Sequence, residues 1–199
     1  MQPEEFKPFI AQAHSRIAKY IRRTPTNELA KGAFGIEAHL TLKLELMQHA
    51  GSFKSRGAFN RILSNPVPTS GVIAASGGNH GAAVAYAAQR LGHAAEIFVP
   101  TISSAAKVER IKSCGAKVVV EGCDYFEALK NRSIRAAQSG GLVVHAFDQP
   151  EVIAGQGTVA LEFEQQAPEL DTLLISVGGG GLIGGIAAWY QGRCNVVSV

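Results

Sequence analysis

Four consecutive glycines, Gly178 to Gly181, stand between an apolar run, Leu173 to Val177, and a helix-like run, Leu182 to Trp189. Glycine loses more backbone freedom on folding than any other residue, so a chain that keeps four in a row needs them. A strand that passes through glycines into a helix is an α/β unit. Its turn bares backbone N–H groups beside the positive end of the helix, which is a site for an anion. A bound phosphate is therefore expected at this turn.

The owner of the phosphate is not legible from the loop alone. Gly179-x-Gly181-x-x-Gly184 follows a strand and opens a helix, as the dinucleotide fingerprint requires. The acidic residue that confirms that fingerprint falls about 20 residues on, past Val199. A nicotinamide-binding oxidoreductase stays open at this point, as does a glycine-rich turn without a ligand.

The rest of the chain supports an α/β architecture. Phe6, Ile10, Ile17 and Ile21 predict a helix over 5–21, stopped before Pro25. Leu40, Leu42 and Leu44 alternate, predicting a strand over 39–45. Ser52 is a candidate N-cap for a short helix through Phe59 and Ile62. From 71 onward strands alternate with helices: strands at 72–75, 96–99, 117–120 and 142–144, helices over 79–91, 104–113 and 124–138. Asp124 with Glu127 forms a capping box. Pro150, at a first-turn position, opens a helix to Gln166, and Asn195–Val199 begins a further strand. This alternation predicts parallel sheet with right-handed crossovers.

Composition narrows the function. The chain of 199 residues is 46% hydrophobic and 18% charged, enough for a substantial core. A net charge of +3 without a Lys/Arg run gives no nucleic-acid footprint. No apolar stretch is long enough to span a membrane. Met1-Gln2-Pro3-Glu4-Glu5 lacks the basic-then-apolar order of a signal peptide. Cys114, Cys123 and Cys194 are odd in number, without metal or redox spacing. A cytoplasmic protein is expected.

Two upstream segments carry chemistry. In Gly51-Ser52-Phe53-Lys54-Ser55-Arg56-Gly57-Ala58 a lysine stands at a helix start, where positive charge is disfavoured. A solvated surface lysine is the ordinary reading of such a residue. A lysine with a lowered pKa is what Schiff-base chemistry with an aldehyde requires. In Ser76-Gly77-Gly78-Asn79-His80 a strand passes into a helix, where ligands gather in α/β sheets. Small residues there suit a carboxylate, and the Asn79 amide suits a phenolic oxygen. Alone, the segment also reads as an ordinary turn.

Lysine, asparagine loop and glycine loop together resemble the apparatus of the fold type II, tryptophan synthase β-like, pyridoxal phosphate enzymes. The resemblance is to their threonine/serine dehydratase and serine racemase branch. It runs through Arg23-Thr24-Pro25, Gly51–Ala58, Ser76–Gly81, Val152–Thr158 and Val177–Leu182. It implies two open parallel α/β sheets. A larger cofactor-binding domain would be built from 1–70 and 148–199, and a smaller βα domain from 71–147.

By this resemblance Lys54 holds pyridoxal 5'-phosphate as an internal aldimine and acts as the catalytic base. Phe53 packs near the cofactor ring and Asn79 bonds its phenolic oxygen. Gly178, Gly179, Gly180, Gly181 and Leu182 bind the phosphate. Ser76, Gly77, Gly78, Asn79 and His80 hold the substrate carboxylate. The implied reaction eliminates the β-hydroxyl as water from a β-hydroxy amino acid such as L-threonine or L-serine, and the aminoacrylate released goes on, by hydrolysis, to a 2-oxo acid and ammonia. Relatives are commonly dimers or tetramers, so a homo-oligomer is expected. No protein metal ligand is expected within these residues.

Racemases of the branch resemble a two-serine version of the asparagine loop. Gly77 stands at the second position and carries no acid or base, which favours elimination over serine or hydroxyaspartate racemisation. In the family the larger domain continues beyond the strand at 195–199. That further part supplies the ligand of the pyridine nitrogen and, in several relatives, acidic ligands for a divalent cation. The larger domain is thus expected to be incomplete here, with weak activity for these residues alone, and a non-catalytic relative remains the third reading.

Overall fold

The computed structural model describes residues 3–199. Helix α1 (Pro3–Ile17) buries Ile10, Ala13 and Ile17 on one face. The helix predicted to Ile21 ends four residues earlier. Tyr20 N donates to Ile17 O in a turn, the Tyr20 ring stacks on Phe59 with centroids 5.3 Å apart, and the Gln48 side chain takes both backbone groups of Arg22. Tertiary partners for those residues outweigh one more helical turn.

Strands β1 (Thr26–Leu29) and β2 (Leu40–Lys43) pair antiparallel, Thr26 opposite Lys43. The alternation did not anticipate β1, whose Thr-Asn-Glu-Leu carries almost no pattern. Helix α2 (Lys54–Leu63) begins at the lysine itself. Ser52 is not its cap: Phe53 holds that position with no side-chain bond, and the Ser52 hydroxyl is buried without a partner. Left-handed Ala50 and Gly51 turn the chain so that Ser52 is extended, away from the free N–H groups.

Next come β3 (Val72–Ala75), α3 (Asn79–Arg90), β4 (Ala95–Val99), α4 (Ala105–Ser113), β5 (Lys117–Val120), α5 (Tyr125–Ser139) and β6 (Leu142–Val143). The four strands form one parallel sheet in the order β5-β4-β3-β6. Strand order runs outward from β3 through β4 to β5, then reverses to place β6 on the other side of β3. The crevice between β3 and β6 is therefore a topological switch point, where open α/β sheets bind ligands. At α5 the Asp124 side chain accepts from Glu127 N at 2.9 Å. Glu127 bonds Cys123 N rather than Asp124 N, so the capping box is displaced by one residue.

Helix α6 (Pro150–Gln166) is the spine of the remaining structure. It is followed by β7 (Thr172–Ile175), α7 (Gly181–Tyr190) and β8 (Asn195–Ser198), with β7 and β8 parallel. Unlike a surface helix, α6 is buried from Ala154 through Phe163. Its neighbours touch it backbone to backbone. A Cβ on Gly155 would stand 2.6 Å from Gly57 Cα of α2, and a Cβ on Gly185 of α7 would stand 2.6 Å from Gly157 N. These glycines set how closely α2 and α7 approach, and α2 and α7 begin at Lys54 and at the glycine loop.

Backbone atoms cannot rotate out of the way of a new methyl group. Gly155→Ala gains about 1 kcal/mol of helix propensity but overpacks the α2–α6 contact at a cost of about 1–3 kcal/mol. Urea unfolding is expected to show net destabilisation; unchanged or higher stability would contradict this packing.

Candidate active site

Lys54, the first residue of α2, is half-buried. Its Nζ donates to Ala146 O at 2.7 Å and lies 5.1 Å from the centroid of the Phe53 ring. Burial, with no carboxylate to offset it, lowers its pKa below the ordinary lysine value. Two residues on, Arg56 is fully buried. It bonds Glu45 through Nε and Nη2, at 2.8 and 2.7 Å, and Glu162 through Nη1 at 3.0 Å. Lys43 Nζ also reaches Glu162, at 2.5 Å. These pairs moor the first turn of α2 to α6 and β2 while leaving Lys54 itself unpaired with any anion.

The glycine loop faces the lysine. A cavity of about 240 Å³ is lined by Phe53, Lys54, Phe147, Ser176, Gly178–Gly181, Leu182 and Ile183. Gly180 has φ +83, a conformation that favours glycine, and caps α7. Among the described residues, chain neighbours aside, nothing lies within 4 Å of where a Cβ would project from Gly178 or Gly180. A side chain at Gly179 would collide with the Phe147 ring, and one at Gly181 would meet Phe147 Cα at 3.0 Å. The loop is a backbone cradle at a helix start, and across the cavity stands an amine whose pKa burial lowers. These residues fit a phosphorylated aldehyde. A larger, mainly apolar cavity of about 410 Å³ adjoins it and shares Phe53, Ser176 and Leu182. It contains neither Lys54 nor the glycines, which meet in the smaller one.

The asparagine loop lies at the C-terminal end of β3, at the switch point. Ser76 Oγ accepts from Gly78 N at 3.2 Å. Asn79 opens α3 and is exposed, and its Oδ1 accepts from Arg110 Nη1 at 3.2 Å. His80 is buried and its Nε2 donates to Val144 O at 3.0 Å, the carbonyl fixing that tautomer. Ser76–His80 do not line the 240 Å³ cavity. They are tied to it through the β6–α6 connection, where Val144 O holds His80 and Ala146 O holds Lys54. At Gly77 a Cβ would collide with the Ser103 hydroxyl and stand 3.2 Å from Val99 Cγ1. Space for a side chain at 77 is thus already filled.

Sequence reasoning missed Ala146, Phe147, Ser176, Ile183, Ser103 and Arg110. Ala146 acts through its carbonyl, which carries no residue-type signal. Phe147 follows a strand and reads as an ordinary connection; only its contact with the glycines gives it meaning. Among the described residues, no group of three or more His, Cys, Asp or Glu could hold a metal ion, and no helix is long and apolar enough to cross a membrane.

The chain belongs to the family of pyridoxal-phosphate dependent enzymes, which matches residues 17–199. Its fold is that of the fold type II members of that group. It is 40% identical over 187 residues to an L-threonine dehydratase of Staphylococcus aureus, a match covering 89% of this chain and 52% of the relative. A threonine deaminase from T.th. superposes with a TM-score of 0.88 at 36% identity, covering 95% of this chain and 63% of that one. Maize serine racemase superposes with a TM-score of 0.92 at 34% identity, covering 96% and 60%. The chain spans about half the length of that curated relative.

Burial pushes the His80 imidazolium down to about 3; the Val144 carbonyl opposes this, and the nearby Lys54 charge adds to it. The folded state thus favours the neutral imidazole at neutral pH. The unfolded chain protonates near pH 6.5 while the folded one does so only near 3, so stability is fully present above about 6.5 and declines as pH falls toward 3. Urea unfolding at stepped pH is expected to show that decline flattened in His80→Gln. An unchanged slope would place the titration elsewhere.

Proposed function

We propose that this protein is a pyridoxal phosphate-dependent dehydratase acting on a β-hydroxy amino acid such as L-threonine or L-serine, yielding a 2-oxo acid and ammonia. The observation that carries this is one cavity holding both a burial-shifted lysine and a four-glycine helix-start cradle. Homology to threonine dehydratases supports the choice of reaction. A nicotinamide dinucleotide leaves Lys54 in that cavity without a purpose.

Pyridoxal phosphate, when bound, supplies an electron sink for the carbanion formed at the substrate α-carbon. The chain's residues do the rest. Gly178–Gly181 and Leu182 bind the phosphate through N–H groups at the start of α7. Lys54 Nζ would be the amine that holds the cofactor and then the base toward the α-proton, tasks for which its ammonium form must be disfavoured. Asn79 would donate to the phenolic oxygen, and Phe53 would pack beside the ring. The Ser76–His80 loop receives the substrate carboxylate, with His80 held neutral as part of its frame rather than as an acid. Gly77, closed off by Ser103, offers no side-chain hydroxyl for the opposite face, which supports elimination over racemisation.

In this reading residues 1–70 and 148–199 form the larger, cofactor-binding domain and 71–147 the smaller one. The four-stranded sheet of β3 to β6 falls within the smaller. We place the protein in the cytoplasm as a dimer or tetramer.

The test is a spectrum with turnover. The protein is expected to show a visible cofactor band and to release ammonia and 2-oxo acid from L-threonine or L-serine. Lys54→Ala is expected to lose the band and at least about a hundredfold in rate. Sustained D-serine formation would favour racemisation, and a band without turnover a non-catalytic relative.

A further inference from the structure

Arg110 is the one guanidinium among the described residues that touches a proposed cofactor residue, and no motif singled it out. It projects from α4 and is exposed. Its Nη1 donates to Asn79 Oδ1 at 3.2 Å, and its Nη2 donates to Ala50 O. A Cβ on Gly51 would stand 2.9 Å from that Nη2, so glycine at 51 leaves the notch in which the guanidinium sits. Ala50, with φ +54, is in the left-handed region beside it. Among the described residues Arg110 has no ion pair; both acceptors are neutral oxygens.

The chemistry of the two groups fixes a direction. An asparagine amide has an accepting end and a donating end, and either can be turned toward a ligand. A guanidinium has donors only. Where Arg110 holds Oδ1, the donating Nδ2 is left for another partner. A phenolic oxygen beside the cofactor imine needs a donor, so the orientation imposed by Arg110 is the useful one. Withdrawal of electron density through the bonded carbonyl also makes Nδ2–H a stronger donor. By gripping Ala50 O at the same time, Arg110 ties the asparagine loop to the segment that leads into Lys54.

We propose that Arg110 is a positioning residue: it sets the Asn79 amide with its NH₂ toward the phenolic oxygen of the cofactor and fixes that loop relative to the Lys54 segment. This rests on the reading of Asn79 as a cofactor residue.

The experiment is a double-mutant cycle on the protein, resolved from cofactor and titrated with pyridoxal 5'-phosphate by its visible band, with thermal midpoints as a folding control. Arg110→Ala is expected to weaken cofactor binding about tenfold, the worth of one charge-assisted hydrogen bond. Asn79→Ala is expected to weaken it at least as much. The double variant should be no weaker than Asn79→Ala alone, because Arg110 acts through Asn79. Arg110→Lys, which can donate to one acceptor at a time, should recover part of the loss. Arg110→Met keeps the aliphatic stem and repeats the test if alanine lowers the midpoint. Additive losses, or no loss in Arg110→Ala while Asn79→Ala is impaired, would overturn the positioning role and leave the reading of Asn79 intact. Unaltered binding in Asn79→Ala would overturn both.

Discussion

The site depends on the direct contact of three helix backbones. Helix α6 meets α2 at Gly57 and Gly155, and α7 at Gly157 and Gly185, at separations no side chain would permit. Each partner helix starts with one half of the chemistry: Lys54 at the head of α2, the glycine cradle at the head of α7. Because α6 is common to both, the distance from the amine to the glycine loop is set by backbone contact rather than by adjustable side chains. That is how a site with few functional groups is held in register. Glycines in helix interiors cost roughly 1 kcal/mol each relative to alanine, so the chain gives up local stability for this approach.

Electrostatics divide sharply within two residues. Arg56 is buried and fully paired with Glu45 and Glu162, an arrangement that breaks down at a cost of about 3–5 kcal/mol when one partner is lost. Lys54 hydrogen-bonds a carbonyl, and no carboxylate among the described residues. A carboxylate at that point would hold the ammonium form and remove the nucleophile. The same segment thus contains a cation locked in its charged state and an amine pushed toward its neutral one. The lock keeps the helix start rigid while the amine stays available.

Regular elements from residue 71 onward were legible because strand and helix periods alternate cleanly there, and α6 was bounded by Pro150 and the end of its apolar run. The N-terminal third was less so. Helix α1 stops early because Tyr20 and Arg22 have partners far along the chain, and β1 has no pattern of its own. Ser52 has the composition of a cap but not its geometry, since two left-handed residues precede it. Within the site, residues acting by type were visible: the lysine, the asparagine and the glycines. Residues acting by position were not. Ala146 serves through a carbonyl, Phe147 through the lack of side chains opposite it, and Ser103 by filling the space above Gly77.

The proposed function requires that Lys54 and the glycine loop form one pyridoxal phosphate site. Borohydride reduction of the cofactor-loaded protein, followed by proteolysis and mass spectrometry, tests it most directly. A phosphopyridoxyl mass is expected on the peptide containing Lys54, and is expected to be lost when a bulky residue replaces Gly180. Modification of a different lysine, or none at all in a protein that binds the cofactor, would contradict it.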